Sequence, residues 1–433
     1  MPNSTAIKFS NLRINGWRQF GEVNIELHPQ LTVITGANGS GKSTILNIFS
    51  GHFGYERSYL STPCRDSFGT YSYLTGIVDF FRSLLPSKPA PTRPANAMLV
   101  CEITYTDNSR AMAYVPKDGQ IQYQLTINDK RPIQGFLVPS HRRLPNYQPV
   151  GQIPTHPMLP AQAYANFNSE MMAAFQGSHS HFSSIYRIKE ALLSMAVFGP
   201  GNTLVQPNPI LVNAFEGFSE TLRKILPVEI GFIGISIRSP DVVLITKSGD
   251  FLIDAASGGL MALVDLTWQI YMFSLGVDSF VVTIDEPENH LHPSMQRTLM
   301  SNLIKTFPQV QFIVATHSPF IVSALRDARV YVLKYKDHPN VASSPDGAQQ
   351  TRFVSSIRLD SINRAGTASE ILRDVLGLPT TYPEWVEKGM QDIIVQYRGR
   401  PFNEELLASL RKQLLENGYG DFYPQIVSEI VKQ

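Results

Sequence analysis

Cysteine is almost missing from this chain. Only Cys64 and Cys101 occur among 433 residues, too few for a disulfide framework or a cysteine-rich zinc site. Charge is scarce as well, at 17% of residues, and the formal net charge is +1. No global basic field advertises nucleic-acid binding, so any DNA contact has to come from a local patch or from a partner. No apolar run approaches the ~18 to 20 residues of a membrane span, and no basic segment followed by an apolar one opens the chain. These absences predict a cytoplasmic protein with no membrane contact. Neither D-x-D nor D/E-x-K is spelled anywhere, which argues against cleavage of phosphodiesters by this chain alone. No heptad pattern persists over several turns, which excludes a long coiled coil, and no fixed-period repeat is present.

What is present is enough apolar residue, 43%, for a large core or several domains. Residues 6 to 35 alternate apolar and polar positions, as in "IKFSNLRI" and "EVNIEL", the period of half-buried strands. From about 55 to 160, proline-rich turns alternate with strand-like pieces such as "AMLVCEITYT", "IQYQLTI" and "GFLVP". Residues 161 to 226 shift to helix formers, with apolar residues three and four apart in "SSIYRIKEALLSMAVF" and "ILVNAFEGFSETLRKIL". Strands return at "IGISIRS" and "VVLITK". After these, "GGLMALVDLTWQIYMF" reads as a helix, and "FVVTID" and "QFIVATHS" read as buried parallel strands around a helix near 294 to 306. The expected division is an N-terminal lobe at 1–160, a helical insertion at 161–226, a second lobe at 227–340 and a helical C-terminal tail at 341–433. The fold class is α/β, with a mixed N-terminal sheet and a parallel core sheet.

Gly36 to Ser43 match G-x-x-x-x-G-K-S/T between an apolar strand and a helix, the context a phosphate-binding loop requires. Gly36, Asn38, Gly39, Ser40 and Gly41 form the loop, whose bare amides can close around phosphate oxygens. Lys42 can reach the β and γ phosphates, and the Ser43 hydroxyl, followed by Thr44, can ligate Mg²⁺. ATP with Mg²⁺ is the implied ligand. At the end of "FVVTID", Asp285 is placed to hold the metal and Glu286 to deprotonate a water. His317, at the end of the next apolar strand, can hydrogen-bond the γ-phosphate. Ser257, Gly258 and Gly259 stand just before a helix, where a hydroxyl and free amides make an anion site; a plain serine N-cap is the other reading.

In this order, P-loop, S-G-G, acidic pair and histidine, the chain resembles the ABC-type ATPase heads. The opening "IKFSNLRINGWRQFGEVNIEL" and the spellings "DEPENHLHP" and "ATHSP" are similar to the RecF, SMC and OLD-like branch, over most of residues 6 to 335. The resemblance implies a P-loop NTPase fold in which ATP is sandwiched between two heads, so that Ser257 acts in trans within a homodimer or higher homo-oligomer. The signature "ASGGL" departs from the transporter spelling. Gln148 and Gln152 lie in the region of a glutamine loop. Arg142 and Arg143 occupy a place where OLD-like ATPases often carry an arginine, for a phosphate- or DNA-facing role or as a solvated surface pair. His179 with His181, and His290 with His292, lack the further ligands a metal site needs. Trp17 and Phe20 fit core packing better than adenine stacking.

The implied function is an ATP-hydrolysing switch whose head pairing regulates a separate effector, a nuclease or toxin, in bacterial anti-phage defence resembling PARIS or Septu. The alternative is a RecF-like ATPase in DNA repair that binds DNA directly. A transporter subunit fits worst, because the stretch between Ser43 and Ser257 is about double that of a compact transporter head.

Overall fold

The structure is a computed structural model, and it describes residues 6–65, 71–74, 97–116, 120–140, 147–152, 155–178, 182–337, 352–360, 366–375, 377, 383–400 and 403–431. The chain divides into two compact units, Met1–Ile371 and Leu372–Gln433.

The alternating N-terminal segment forms β1 (Phe9–Trp17) and β2 (Phe20–Glu26), antiparallel to each other, followed by β3 (Leu31–Gly36), every residue of which is buried. Helix α1 (Lys42–Ser50) follows the loop, and the short strands β4 (Tyr59–Leu60), β5 (Thr62–Arg65) and β6 (Tyr71–Leu74) follow it. Then come β7 (Ala97–Tyr105), β8 (Arg110–Pro116), β9 (Gln122–Tyr123), β10 (Thr126–Asn128) and β11 (Gly135–Val138). The helix formers give α2 (Pro160–Phe175), α3 (Ser184–Phe198) and α4 (Pro209–Ile225), started by Pro160, by the Ser183 side chain and by Asn208 with Pro209. Strands β12 (Phe232–Arg238), β13 (Asp241–Thr246) and β14 (Phe251–Leu252) make a small antiparallel sheet. Beyond it lie α5 (Gly258–Ser274), β15 (Val281–Asp285), α6 (Pro293–Thr306), β16 (Gln311–Ala315), α7 (Pro319–Val322), β17 (Arg329–Asp337) and β18 (Arg352–Arg358).

Eleven of these strands form one sheet, in the order β10-β8-β7-β1-β2-β18-β17-β3-β16-β15-β11. The β10 to β2 side is antiparallel, whereas β17, β3, β16, β15 and β11 run parallel. The two sheets expected from sequence are therefore halves of one, and β18 is what joins them. Residues 341–433 read as helical, yet β18 pairs antiparallel with β17 from Asp337↔Arg352 to Tyr331↔Arg358 and parallel with β2 at Val354↔Phe20. Its centre is two serines, a weak intrinsic strand signal, and pairing rather than propensity makes it a strand.

Helix α1 packs on the parallel strands, and its Ile45 and Phe49 share a core with Phe9, Leu12 and Ile14 of β1, Val23 of β2, Ile103 of β7 and Val115 of β8. Trp17 and Phe20 are fully buried, and the Trp17 indole N–H donates to the Tyr123 hydroxyl at 3.2 Å, so both serve the core. On the opposite flank α5 packs against α2, α3 and α4. It is buried nearly all round, from Met261 to Ile270 without interruption, which is how a helix enclosed by others reads. The second unit has its own core, in which Val386, Met390, Ile393 and Ile394 of the helix Glu384–Tyr397 meet Leu406, Leu410 and Leu414 of the helix Glu404–Glu416 and Ile426 of the helix Tyr423–Val431.

One buried group makes this core sensitive to acid. His52 lies edge-on to Phe9 at 4.9 Å between ring centroids, and its Nε2 is 2.8 Å from the Tyr105 hydroxyl. Burial, reinforced by the nearby Lys130 charge, pushes the imidazole down to about 4. Between an ordinary value near 6.5 and about 4 the unfolded chain binds the proton and the folded chain does not, so stability falls as pH drops through that window. The full loss attributable to His52 is about 3 kcal/mol. Urea unfolding at pH 7, 5.5 and 4 should show a shallower decline for His52→Gln than for the unaltered chain; parallel declines would contradict the assignment.

Candidate functional site

Three parallel strands end side by side. In the register Ile34 lies opposite Ala315, and Ala315 opposite Asp285, so the loop after β3, the acidic pair after β15 and the histidine after β16 emerge at one edge. This is where an open parallel sheet exposes a ligand site.

The loop after β3 turns through Gly36, Gly39 and Gly41, with φ of 144°, 76° and 97°. Gly41 is the N-cap of α1, and a Cβ there would lie 2.3 Å from the Phe20 ring, so only glycine fits beneath the β1–β2 turn. That turn also grips the loop directly, since the Gln19 side-chain amide donates to the Gly39 carbonyl at 3.2 Å. Asn38 and Gly39 are exposed at the tip, Ser40 is buried with its hydroxyl unpartnered, and Lys42, Ser43 and Thr44 form the first turn of α1. The Lys42 ammonium folds back over the loop, donating to the carbonyls of Gly36 at 3.0 Å and Ala37 at 3.1 Å. Burial draws it below its ordinary value, while Glu286, Asp285 and Glu288 hold it up.

Asp285 ends β15. Burial raises its carboxyl, opposed by a hydrogen bond with the Ser43 hydroxyl and by the charges of Lys42 and Arg57. A hydroxyl and a carboxylate that act on each other at the foot of the loop, with a lysine charge nearby, are the donor set that Mg²⁺ shares with a polyphosphate. The glycine cradle, the retractable ammonium and this pair fit MgATP.

Glu286 is backbone-strained. It has φ of 50°, the left-handed region a glutamate rarely enters. Its N–H donates to the Ala315 carbonyl at 2.8 Å, and Asn289 holds it from the other side, donating from Nδ2 to Glu286 Oε2 at 2.9 Å. The same Asn289 amide reaches the Ser140 carbonyl after β11 at 3.2 Å. His317 Nε2 stands 4.0 Å from Glu286 Oε1. Burial, then Lys42, lowers the His317 imidazole, and Glu286 opposes them.

Glu288 did not stand out in the sequence, and the structure gives it the most connected carboxylate of the site. Its Oε1 accepts from the Thr316 hydroxyl at 2.7 Å, from the His317 N–H at 2.7 Å and from the Ser318 N–H at 3.1 Å. It fixes the turn that carries His317. The one available signal was the second glutamate of "DEPEN". Arg57, whose guanidinium lies 4.6 Å from the Phe175 ring centroid and whose charge reaches Asp285, was also missed.

Ser257, Gly258 and Gly259 stand at the start of α5 in the first unit. Ser257 is exposed and caps α5, accepting weakly from the Leu260 N–H at 3.5 Å. Gly259 is buried, and a Cβ there would come within 2.8 Å of the His290 carbonyl, so the start of α5 rests on the turn that follows the acidic pair. His290 has φ of 69°, and His292 caps α6, its Nδ1 accepting from the Ser294 N–H at 3.3 Å. Gln148 Oε1 accepts from the Ser183 N–H at 3.0 Å and so anchors the start of α3, whereas Gln152 is exposed. Arg142, Arg143, His179 and His181 lie outside the described residues. Among the described residues no group of three or more His, Cys, Asp or Glu side chains converges as a metal cluster, and no helix is long and apolar enough to cross a membrane.

Residues 11–134 match the AAA domain family, and residues 257–323 match a second AAA domain family, named for the AbiEii toxin of a Type IV TA system. The chain is similar to the "Retron Vc95 probable ATPase" of Vibrio cholerae, 30% identical over 115 residues, which are 26% of this chain and 22% of that protein. It is also similar to the "Septu protein PtuA" of Bacillus thuringiensis, 26% identical over 186 residues, 38% of this chain and 42% of that one. Both alignments leave more than half of the relative uncovered. Among solved structures the SMC head domain from Thermotoga maritima aligns with a TM-score of 0.41 and 13% identity, covering 82% of this chain and 99% of that one.

Glu288 provides a test of this geometry. Glu288→Gln retains an oxygen for the three donors and puts its NH₂ where Oε2 is buried without a partner, whereas Glu288→Ala takes the acceptor from the Thr316 hydroxyl and the His317 N–H and leaves the Ser318 N–H only the Thr316 hydroxyl oxygen at 2.9 Å. The alanine variant is expected to lose about 2 to 4 kcal/mol and the glutamine variant much less, measured by urea unfolding. Equal losses would show that the turn does not depend on these bonds.

Proposed function

We propose that this ABC/SMC-like AAA-type ATPase hydrolyses ATP in a site completed by a second copy, the phosphate loop of one head facing Ser257, Gly258 and Gly259 of the other. The pairing then regulates a separate effector, a nuclease or toxin, in bacterial anti-phage defence. The observation that carries the catalytic part is Glu286, held in a strained backbone by Ala315 and Asn289 beside Lys42, Asp285 and His317. Strain of this sort persists where a side chain has to be aimed.

In this reading the Lys42 ammonium leaves the carbonyls of Gly36 and Ala37 for the β and γ phosphates. The Glu286 carboxylate takes a proton from a water as the water oxygen bonds to the γ-phosphorus, and the bond from that phosphorus to the β–γ bridging oxygen breaks, giving ADP and phosphate. His317, kept neutral by its surroundings, donates to a γ-phosphate oxygen. Ser43 and Asp285 would hold Mg²⁺, which when bound would neutralise charge on the phosphate oxygens.

Ser257 supports the two-headed arrangement because it is exposed at the N-terminus of a long helix, where its hydroxyl and the first amides can face the γ-phosphate of another copy. The defence role rests on the similarity to the "Retron Vc95 probable ATPase" and to the "Septu protein PtuA". The need for a separate effector rests on the absence of nuclease spellings from the sequence. The RecF-like alternative requires a basic DNA-facing surface, and a net charge of +1 does not favour it.

Lys42→Ala is expected to lose nucleotide binding, and Glu286→Gln to retain it while hydrolysing at least ~100-fold more slowly. Glu286→Gln should also accumulate as pairs with ATP. A binding titration, a steady-state ATPase assay and light scattering read the three effects. Glu286→Gln that stays unpaired at every ATP concentration would refute the shared site.

A further inference from the structure

Lys189 is a cation in the wrong place for a surface charge. It lies on α3 among Ile185, Ile188, Leu192 and Leu193, and its side chain has no exposed surface. Its ammonium donates to Asp254 Oδ1 at 2.9 Å and Oδ2 at 2.8 Å and to the Gln148 carbonyl at 2.5 Å. It also stands 3.8 Å from Asp241 Oδ1 and 5.0 Å from the centre of the Tyr147 ring. Tyr147 closes the group by donating from its hydroxyl to Asp241 Oδ2 at 3.2 Å. All contacts of the node join segments far apart in sequence.

Those segments matter. Asp254 lies in the turn Ile253–Ala255, which leads directly into Ser257 and α5. Gln148 and Tyr147 belong to the connection after β11, the same connection whose Ser140 carbonyl is held by Asn289, the residue that also holds Glu286. A buried ion pair adds little stability over an apolar pair of similar volume. What it adds here is geometry, because an ammonium surrounded by fixed acceptors has few places to go.

We infer that Lys189 is a positioning residue that ties the connection after β11 to the Asp254 turn, so that the state of one head's nucleotide site sets how that head presents Ser257 to its partner. The inference rests on the shared-site reading above. ATP binding to a single head does not involve Lys189, whereas pairing and turnover do.

The test uses the full chain, with and without Glu286→Gln. Removing Lys189 alone would leave Asp254 charged and buried, so the main variant is the neutral double replacement Lys189→Met with Asp254→Leu, checked for folding by its thermal transition. The milder Asp254→Asn preserves shape if the double variant does not fold. Fluorescent ATP affinity is expected to stay within about threefold of the unaltered chain, while ATP-dependent pairing by light scattering and kcat fall by about tenfold or more. A folded variant that pairs and turns over like the unaltered chain would overturn the inference. So would parallel losses of affinity and turnover, which indicate support of the fold alone. Failure of Glu286→Gln itself to pair, with Lys189 and Asp254 intact, contradicts the shared-site reading and removes this inference with it.

Discussion

Parallel pairing of β3 with β16 and of β16 with β15 is the constraint from which the site follows. Because Ile34, Ala315 and Asp285 share one line across the sheet, three loops distant in sequence leave the sheet at the same height. The phosphate loop, the acidic pair and His317 meet there without further help from long side chains. A slip of β15 by one residue would turn Asp285 to the other face. The sequences of β3 and β16, buried on both faces, protect that register.

On this frame the polar contacts refine positions. Glu288 fixes the turn under His317, Asn289 and Ala315 hold Glu286 in its left-handed conformation, and Gln19 steadies the tip of the phosphate loop. Each of these acts on backbone or on a carboxylate at the sheet edge where the loop after β3 emerges. The helical flank is built differently. There α5 is enclosed by α2, α3 and α4, and the polar node at Lys189 is the place where that flank reaches both the connection after β11 and the turn before Ser257.

The parts of the molecule that were legible in the sequence are those written locally. The strand, glycine turn and helix around Gly36 to Ser50 can be read from one stretch, and so can the acidic pair after "FVVTID" and the helix that begins at Gly258. Non-local features were not legible. Strand β18 carries serines at its centre and becomes a strand only beside β17 and β2, so its segment passed for part of a helical tail. Glu288 looked like one more acid in a charged turn, because its three donors lie on another strand's end. Lys189 did leave a trace, as a lysine on the apolar stripe of "IYRIKEALL", yet its partners at 148, 241 and 254 belong to three other segments.

If an active site is assembled from two copies, mixing two defective chains restores activity that neither has alone. Lys42→Ala cannot hold ATP in its own loop but presents an intact Ser257; Ser257→Arg has an intact loop but crowds its neighbour's nucleotide. Each alone should be inactive. An equimolar mixture should recover roughly a quarter of the unaltered ATPase rate, since half of the random pairs carry one complete site out of two. A mixture no more active than the sum of its parts would contradict the account.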